Sequence, residues 1–192
     1  MSATADRGNP KAVFGAPRRL SSRLVYENPW MRVREDQIVR PDGVGTLYGV
    51  VEKPDFALVI PRDDDGIWLV EQYRYVPGRR AWEFPQGSWS GPAKGDQAAL
   101  AATELREETG FVAAELRQLG HLYPAYGFSA QAIDIFLATG LTPGPPEREP
   151  SEQDMVQSHF SDAEVAAMIK TGEIVDAGTI AAFALLSLDA SS

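Results

Sequence analysis

Apolar and acidic side chains recur between residues 96 and 110 with the spacing of an α-helix. Four residues fall within about 60° of Leu105 when each position is rotated by about 100°, namely Ala98, Ala101, Ala102 and Thr109. Three carboxylates lie beside this face, those of Glu104, Glu107 and Glu108. Asp96 stands where an N-cap would be and Gly110 where a left-handed C-cap would be, so the pattern predicts a helix between them.

Short apolar stretches between turn residues predict strands on both sides of this helix. Residues 57–60 and 67–70 flank the turn sequence DDDG, and together they predict a buried hairpin. Further strands are expected at residues 82–84, 116–122 and 133–138. Residues 22–51 contain the turn sequences ENP and PDGVG between strand-like stretches, which predicts a small antiparallel sheet.

The C-terminal third predicts a loop and then two helices. Residues 142–154, TPGPPEREPSEQD, contain four prolines and four acids, which is typical of a mobile loop rather than a regular element. Ser161 and Glu164 have the spacing of a capping box, and Gly172 is expected to end the helix that they begin. A second helix is expected near residues 177–188.

The order of these elements lacks regular alternation and predicts an α+β fold, with a mixed sheet flanked by helices. We expect a disordered tail over residues 1–20, a β subdomain over 21–54 and the main domain over 55–190. The 192 residues are 44% hydrophobic and include no uninterrupted apolar run of about 18, so a core is expected and a membrane span is not. The N-terminus lacks an apolar leader, which makes the cytoplasm the expected location.

The composition and residue spacing argue against several kinds of functional site. A formal net charge of −9 argues against a nucleic-acid partner, because phosphate binding needs clustered Lys and Arg. The chain has no cysteine, which excludes disulfides and thiolate sites. His121 and His159 lack the spacing of a zinc pair, and no G-x-S-x-G turn supports a serine hydrolase.

The three helical glutamates are the remaining candidates for chemistry. Like charges three and four residues apart repel each other, so this cluster costs stability unless a cation binds there. Oxygen ligands favour a hard cation such as Mg²⁺ or Mn²⁺. From the helix alone, a solvated acidic surface is an equally good interpretation.

The surrounding residues decide between these interpretations. The stretch from Gly87 to Val112, GSWSGPAKGDQAALAATELREETGFV, resembles the Nudix box, a glycine-rich loop followed by a glutamate-rich helix. Six residues match it in register: Glu104, Leu105, Glu107, Glu108, Gly110 and Phe111. The lead-in RRAWEFPQG and the order of the flanking segments resemble the ADP-ribose pyrophosphatase branch, and the similarity covers residues 23–188.

Three positions depart from the pattern of these enzymes. Thr103 stands at the arginine position of the box, and Gly95, followed by Asp96, stands at its first glutamate position. In the family that arginine orients the neighbouring carboxylates, whereas the metal is held mainly by the later glutamates, all three of which are present here. Catalysis is therefore expected to be retained in weakened form. Tyr126 replaces a proline typical of ADP-ribose hydrolases, which puts the substrate in question.

The resemblance implies a Nudix α/β/α sandwich with a mixed sheet, preceded by the small N-terminal antiparallel sheet through which such enzymes usually form homodimers. It implies that Glu104 and Glu108 bind Mg²⁺ or Mn²⁺, with Glu107 completing the site or bridging a second ion and the Gln86 carbonyl as a further ligand. The general base is expected in the acidic loop, where Glu152 is preferred to Asp154.

Further residues match positions that contact substrate in similar enzymes. Arg74 corresponds to a nucleotide contact, although pairing with a nearby acid is the alternative. Glu83 could support the metals or bind a ribose hydroxyl, or form a salt bridge with Arg79 or Arg80.

Aromatic residues and one serine complete the predicted substrate contacts. Trp30 and Tyr48 match aromatic residues that sandwich adenine, with a core or interface role as the alternative. Tyr126 and Ser129 are expected to line the side of the distal sugar.

The resulting functional prediction is metal-dependent hydrolysis of a nucleoside diphosphate sugar, ADP-ribose first, to a nucleoside monophosphate and a sugar phosphate. GDP-mannose or another nucleotide sugar is an alternative that Tyr126 makes more credible. A regulatory module that binds nucleotide sugars with weakened turnover is a second alternative, because of Thr103 and the displaced first acid.

Overall fold

The computed structural model describes residues 15–89, 95–150 and 152–189 and divides the chain into two compact units, with the boundary between Glu52 and Lys53. The first unit is an antiparallel sheet in the order β1-β2-β3, with β1 at Arg18–Asn28, β2 at Met31–Val39 and β3 at Gly45–Glu52. Asn28 makes the first turn, because its side-chain oxygen accepts hydrogen bonds from the backbone amides of Trp30 and Met31. The predicted small antiparallel sheet is therefore confirmed.

The second unit contains two further sheets and three helices within its described residues. Its strands are β4 (Phe56–Pro61), β5 (Ile67–Arg74), β6 (Arg79–Glu83), β7 (Gln86–Gly87), β8 (Val112–Leu122), β9 (Ile133–Thr142) and β10 (Val156–Phe160). Its helices are α1 (Gln97–Thr109), α2 (Asp162–Thr171) and α3 (Ala177–Asp189). One sheet has the order β7-β4-β9-β8 and the other β10-β5-β6. Since β4 and β9 are parallel and their other neighbours are antiparallel, the four-stranded sheet is mixed, as predicted.

Strand β4 is buried on both faces, which explains its uninterrupted apolar sequence. Ala57 and Val59 pack with the apolar face of α1, including Leu105, whereas Leu58 and Ile60 pack in the cluster that includes residues of α2 and α3. Alternate side chains of a strand point to opposite faces, so helices cover the sheet on both sides. This layering is the predicted α+β sandwich.

The predicted hairpin of residues 57–60 and 67–70 is wrong. Both strands form, but β4 belongs to the mixed sheet and β5 to the three-stranded sheet. Only one isolated bridge, Arg62 with Ile67, joins the segments at the DDDG turn in the described chain. The apolar run of β4 instead pairs with β7 and with the distant strand β9, which periodicity cannot reveal.

The predicted helix ends are confirmed. The Asp96 side chain accepts a hydrogen bond from the Ala98 amide, and Gly110 adopts a left-handed conformation with φ of 79°. Ser161 and Glu164 form a full capping box at α2, and Gly172 ends that helix with φ of 80°. No helix among the described residues is both long enough and apolar enough to cross a membrane.

The predicted N-terminal tail is only partly described. Strand β1 begins at Arg18, so residues 18–20 lie in a strand, and residues 1–14 lie outside the described residues. Of the predicted loop of residues 142–154, Thr142 is the last residue of β9, and the described part of the remainder contains neither helix nor strand. Its predicted mobility stays a prediction.

Candidate active site

The three glutamates of helix α1 differ in how far they are buried. Glu108 is buried, with 1% of its surface exposed, and its Oε2 atom has no hydrogen-bond partner among the described residues. Glu104 and Glu107 are half-buried. A buried carboxylate oxygen without a partner is costly, so this arrangement indicates a group that the protein keeps ready for a ligand.

Strand β7 places Gly87 directly against the Glu104 carboxylate. Gln86 and Gly87 pair with Leu58 and Ala57 of β4, which lies under α1. A Cβ atom on Gly87 would lie 2.4 Å from the Cδ and Oε1 atoms of Glu104. The carboxylate therefore occupies the space that any side chain at position 87 would fill, next to the residue whose carbonyl is the predicted metal ligand.

The electrostatic environment raises the pKa values of all three carboxylates. Burial, then the neighbouring Glu107, Glu152 and Glu149, raise the pKa of Glu104 to about 7. Burial and Glu104 are also the main causes that raise the pKa of Glu108 well above its ordinary value, with Arg74 opposing them. The pKa of Glu107 is raised too, chiefly by burial, against the lowering effect of Arg106. A divalent cation would relieve these costs, because it stabilises the ionised form of every one of these groups.

The acidic loop of residues 143–155 lies against the helix glutamates. Glu149 and Glu152 both raise the pKa values of Glu104 and Glu107, so these loop acids face the acids of the helix. The Asp154 carboxylate instead pairs with Arg80 at 2.6 Å. Of the two predicted bases, Glu152 is the one named among the causes that raise the pKa values of Glu104 and Glu108, and its role as base stays a prediction. The structure also adds Glu149, which sequence reasoning missed because it restricted the base to residues 151–154.

These donors fit a hard divalent cation, although the side chains are not arranged as a formed ligand shell. No group of three or more His, Asp or Glu side chains is gathered in ligating positions anywhere in residues 15–89, 95–150 and 152–189. The fit rests on the unpartnered Glu108 oxygen, the cleared space at Gly87 and the mutual repulsion of the acids. Carboxylate and carbonyl oxygens are the ligands that Mg²⁺ and Mn²⁺ prefer.

Arg74 and Glu83 form an ion pair beside this cluster. The Arg74 Nε and NH2 atoms donate to the two carboxylate oxygens of Glu83 at 3.1 and 2.5 Å, and Gln72 donates to the same carboxylate at 2.8 Å. Glu83 is 2% exposed, whereas the Arg74 side chain is 41% exposed. Of the predicted alternatives, pairing with an acid is seen for Arg74. The alternative of a salt bridge from Glu83 to Arg79 or Arg80 is wrong: Arg80 pairs with Glu71 and Asp154, and Arg79 donates to the Gly172 carbonyl.

The predicted sugar-side residues lie around the turn after β8. Tyr126 is 84% exposed and lines a cavity of about 360 Å³ together with His121, Tyr123 and Ile133. Ser129 is buried, and its hydroxyl accepts a hydrogen bond from the Gln131 amide, so it stabilises the turn. Their contact with a sugar stays a prediction.

The predicted adenine contacts belong to the first unit. Trp30 is 71% exposed in the β1–β2 turn, and Tyr48 is 41% exposed on β3. Their role in stacking stays a prediction.

The departures from the sequence pattern have local structural consequences. The Thr103 hydroxyl donates to the Ala99 carbonyl at 3.0 Å, so it is bonded to its own helix. A Cβ atom on Gly95 would lie 2.7 Å from the Trp89 ring, so a glutamate there would displace the indole. Asp96 serves as the N-cap, which explains an acid at that position without a metal.

Comparisons with known proteins agree with this geometry. The profile of the NUDIX domain matches residues 52–183, and that of the nucleoside diphosphate sugar hydrolase N-terminal domain matches residues 18–51. The chain is 38% identical to an ADP-ribose pyrophosphatase of Mycobacterium tuberculosis, over 84% of this chain and 79% of that protein. It is 29% identical to an ADP-ribose pyrophosphatase of Bacillus subtilis, over 88% and 91% of the two chains. A solved structure described as an ADP compounds hydrolase shares the fold, with a TM-score of 0.80, 20% identity and coverage of 90% and 93%.

Proposed function

This chain belongs to the Nudix family and is a hydrolase, and we propose that it cleaves the pyrophosphate of nucleoside diphosphate sugars in a divalent-metal-dependent reaction, with ADP-ribose as its substrate. The products would be a nucleoside monophosphate and a sugar phosphate. The observation that carries the proposal is the cluster of mutually repelling acids on α1, faced by the acidic loop. The matching N-terminal domain profile and the two pyrophosphatase relatives support the substrate class.

The proposed metal site consists of Glu104, Glu108 and the Gln86 carbonyl, with Glu107 completing it or serving a second ion. Mg²⁺ or Mn²⁺ bound there would neutralise the diphosphate and acidify the attacking water. Gly87 supports the site by leaving room for the Glu104 carboxylate. Burial of Glu108 keeps its carboxylate away from competing solvent.

The loop acid Glu152 is the proposed general base. Its charge helps to raise the pKa values of Glu104 and Glu108, which supports a role beside a diphosphate bound at these glutamates. Arg74 is proposed to contact the substrate with the guanidinium nitrogen that Glu83 does not occupy, while Glu83 fixes its orientation. Fixing a charged donor before substrate binds lowers the entropic cost of the reaction.

A second candidate substrate is another nucleotide sugar, such as GDP-mannose. Tyr126 favours it, because this exposed ring lines a cavity of about 360 Å³ on the side proposed for the sugar. A different sugar would change the contact with this ring without changing the chemistry at α1.

The test is hydrolysis of ADP-ribose, GDP-mannose and UDP-glucose with Mg²⁺ or Mn²⁺, followed by chromatography of the products. Glu108→Gln should lower kcat by about a hundredfold or more, because a metal ligand is lost. Glu115→Gln is the matched control, since this exposed acid of β8 lies outside the cluster. If GDP-mannose is cleaved in a metal-dependent reaction and ADP-ribose is not, GDP-mannose is the substrate. Nucleotide-sugar binding without any cleavage would favour the regulatory alternative.

A further inference from the structure

The acidic loop caps the C-terminus of the glutamate-bearing helix. The last four carbonyls of a helix have no partner within it. Here the Arg106 carbonyl accepts from the Gly110 amide at 2.8 Å and the Glu107 carbonyl from the Glu147 amide at 2.9 Å. The Glu108 carbonyl accepts from Nε of Arg148 at 2.9 Å. Two of these three donors come from the loop, so the loop and the helix end share one hydrogen-bond network.

Arg148 also closes the loop on itself. Its NH1 atom donates to the carbonyl of Met155, a residue that is 2% exposed, at the far end of the loop. Its own carbonyl accepts from the side chain of Gln153 at 2.8 Å. A single guanidinium therefore joins the helix end to both ends of the segment that carries Glu149 and Glu152.

A second arginine holds the end of the same loop. Arg80 of β6 donates to the Asp154 carboxylate at 2.6 Å and to the Asp154 carbonyl at 2.9 Å. The same guanidinium donates to Glu71 of the neighbouring strand at 2.7 Å. Glu152 lies between the two attachment points, and its backbone amide donates to the Glu149 carbonyl at 3.0 Å.

We propose that Arg148 is a positioning residue that sets the distance between the metal-binding glutamates of α1 and the loop acid that acts as base. This inference rests on the proposed function. The printed hydrogen bonds of the Arg148 guanidinium go to the backbone carbonyls of Glu108 and Met155, so its proposed effect on the reaction is exerted through Glu108 and Glu152. Two features favour arginine here. Its planar fork can donate to two carbonyls at once, and its charge stabilises the negative end of the helix dipole.

The experiment compares Arg148→Ala, Arg148→Lys and the control Arg117→Ala. Arg117 also donates two hydrogen bonds, to the Asp189 carboxylate, and it lies on β8 rather than in the loop. For Arg148→Ala we expect kcat on ADP-ribose to fall about tenfold to hundredfold, since a displacement of about 1 Å in a reacting group can cost that much. KM and the affinity for Mn²⁺, measured by titration calorimetry, should stay within about threefold, because the metal ligands remain on the helix.

Hydrogen exchange supplies a readout that is independent of turnover. The amides of Glu147 and Met155 are hydrogen-bonded within the loop network and should exchange faster in Arg148→Ala but not in Arg117→Ala. Arg148→Lys should recover part of kcat and part of the protection from hydrogen exchange. A lysine ammonium group can bond to one of the two carbonyls, whereas the arginine fork bonds to both. The lysine variant also keeps the test valid if the alanine variant does not fold.

The outcomes separate this proposal from the function on which it rests. A kcat equal to that of Arg117→Ala, or Mn²⁺ affinity that falls in parallel with kcat, would overturn the positioning role while leaving the pyrophosphatase intact. If the wild-type protein cleaves no nucleotide sugar, the proposed function fails, and exchange at Glu147 and Met155 still decides whether Arg148 holds the loop. Unchanged exchange would overturn that as well.

Discussion

Gly87 has no side chain and so leaves the space that the Glu104 carboxylate occupies in the proposed metal site. Replacing it by alanine places a methyl group where the Glu104 carboxylate now lies, 2.4 Å away. The carboxylate is the end of a flexible side chain, so it should move at little cost in stability. We predict that Gly87→Ala lowers Mn²⁺ affinity and kcat about tenfold, because displacing a ligand weakens a metal site by that order.

Titration calorimetry and thermal unfolding check this prediction together. Gly49→Ala is the matched control, because Gly49 is also a strand glycine and a Cβ there meets nothing within 4 Å. Unchanged metal affinity in Gly87→Ala would show that Glu104 is no ligand. A large loss of thermal stability would show instead that the backbone cannot accept the methyl group.

The two loop acids predicted as bases differ in their partners. Asp154 is held by Arg80, whereas Glu152 faces the helix glutamates. We predict that Glu152→Gln lowers kcat about hundredfold, as expected for loss of a general base, with Mn²⁺ affinity retained. Asp154→Asn keeps an oxygen acceptor for Arg80 and should leave kcat within about threefold of wild type. Equal losses in both variants, measured at saturating substrate, would reject the assignment of Glu152.

At the scale of elements, the raised pKa values of the α1 acids make stability depend on pH. The folded-state pKa of Glu104 is raised from 4.5 to about 7, so the folded protein holds a proton that the unfolded chain releases. Folding is therefore favoured below pH 4.5, and this contribution is lost as pH rises to about 7. For Glu104 alone the loss amounts to about 3 kcal/mol. Acids whose pKa values are lowered, such as Asp189, act in the opposite direction and at lower pH.

We predict that the metal-free protein becomes less stable between pH 4.5 and 7 and that Mg²⁺ restores stability most strongly above pH 7. Mg²⁺ binds the ionised carboxylates, so its affinity should rise as Glu104 loses its proton. Urea unfolding at pH 5, 6, 7 and 8, with Mg²⁺ or with a chelator, measures this. Glu104→Gln should flatten the metal-free pH profile. Stabilisation by Mg²⁺ that is equal at every pH would contradict the prediction.

The elements also show what a single sequence can reveal. Local signals sufficed for the ends of α1 and α2, because Asp96, Gly110 and the Ser161–Glu164 box act within one helical turn. Local signals failed for β4, since its partners β7 and β9 are distant in sequence. The contact of Gly87 with Glu104 and the hydrogen bond from Arg148 to the Glu108 carbonyl also join residues distant in sequence, so neither could be predicted.

At the scale of the whole molecule, the first unit exposes several large apolar side chains. Large side chains are exposed along β1 and β3, among them Leu20, Leu24, Tyr26 and Leu47, each at 45% or more. Contiguous exposed apolar side chains indicate an interaction surface. A second copy of the chain is the partner that the family resemblance implies, so we keep the homodimer as a prediction.

Introducing a charge on this sheet tests the homodimer directly. We predict that the wild-type chain, of 20.9 kDa, sediments with twice that mass and that Leu24→Asp shifts it toward the monomer at micromolar concentration, because a buried unpaired carboxylate opposes association. Val112→Asp is the control, since Val112 is 57% exposed on β8 in the other unit. Sedimentation velocity distinguishes the species. A wild-type monomer, or dimers of both variants, would show that the exposed side chains of β1 serve another contact.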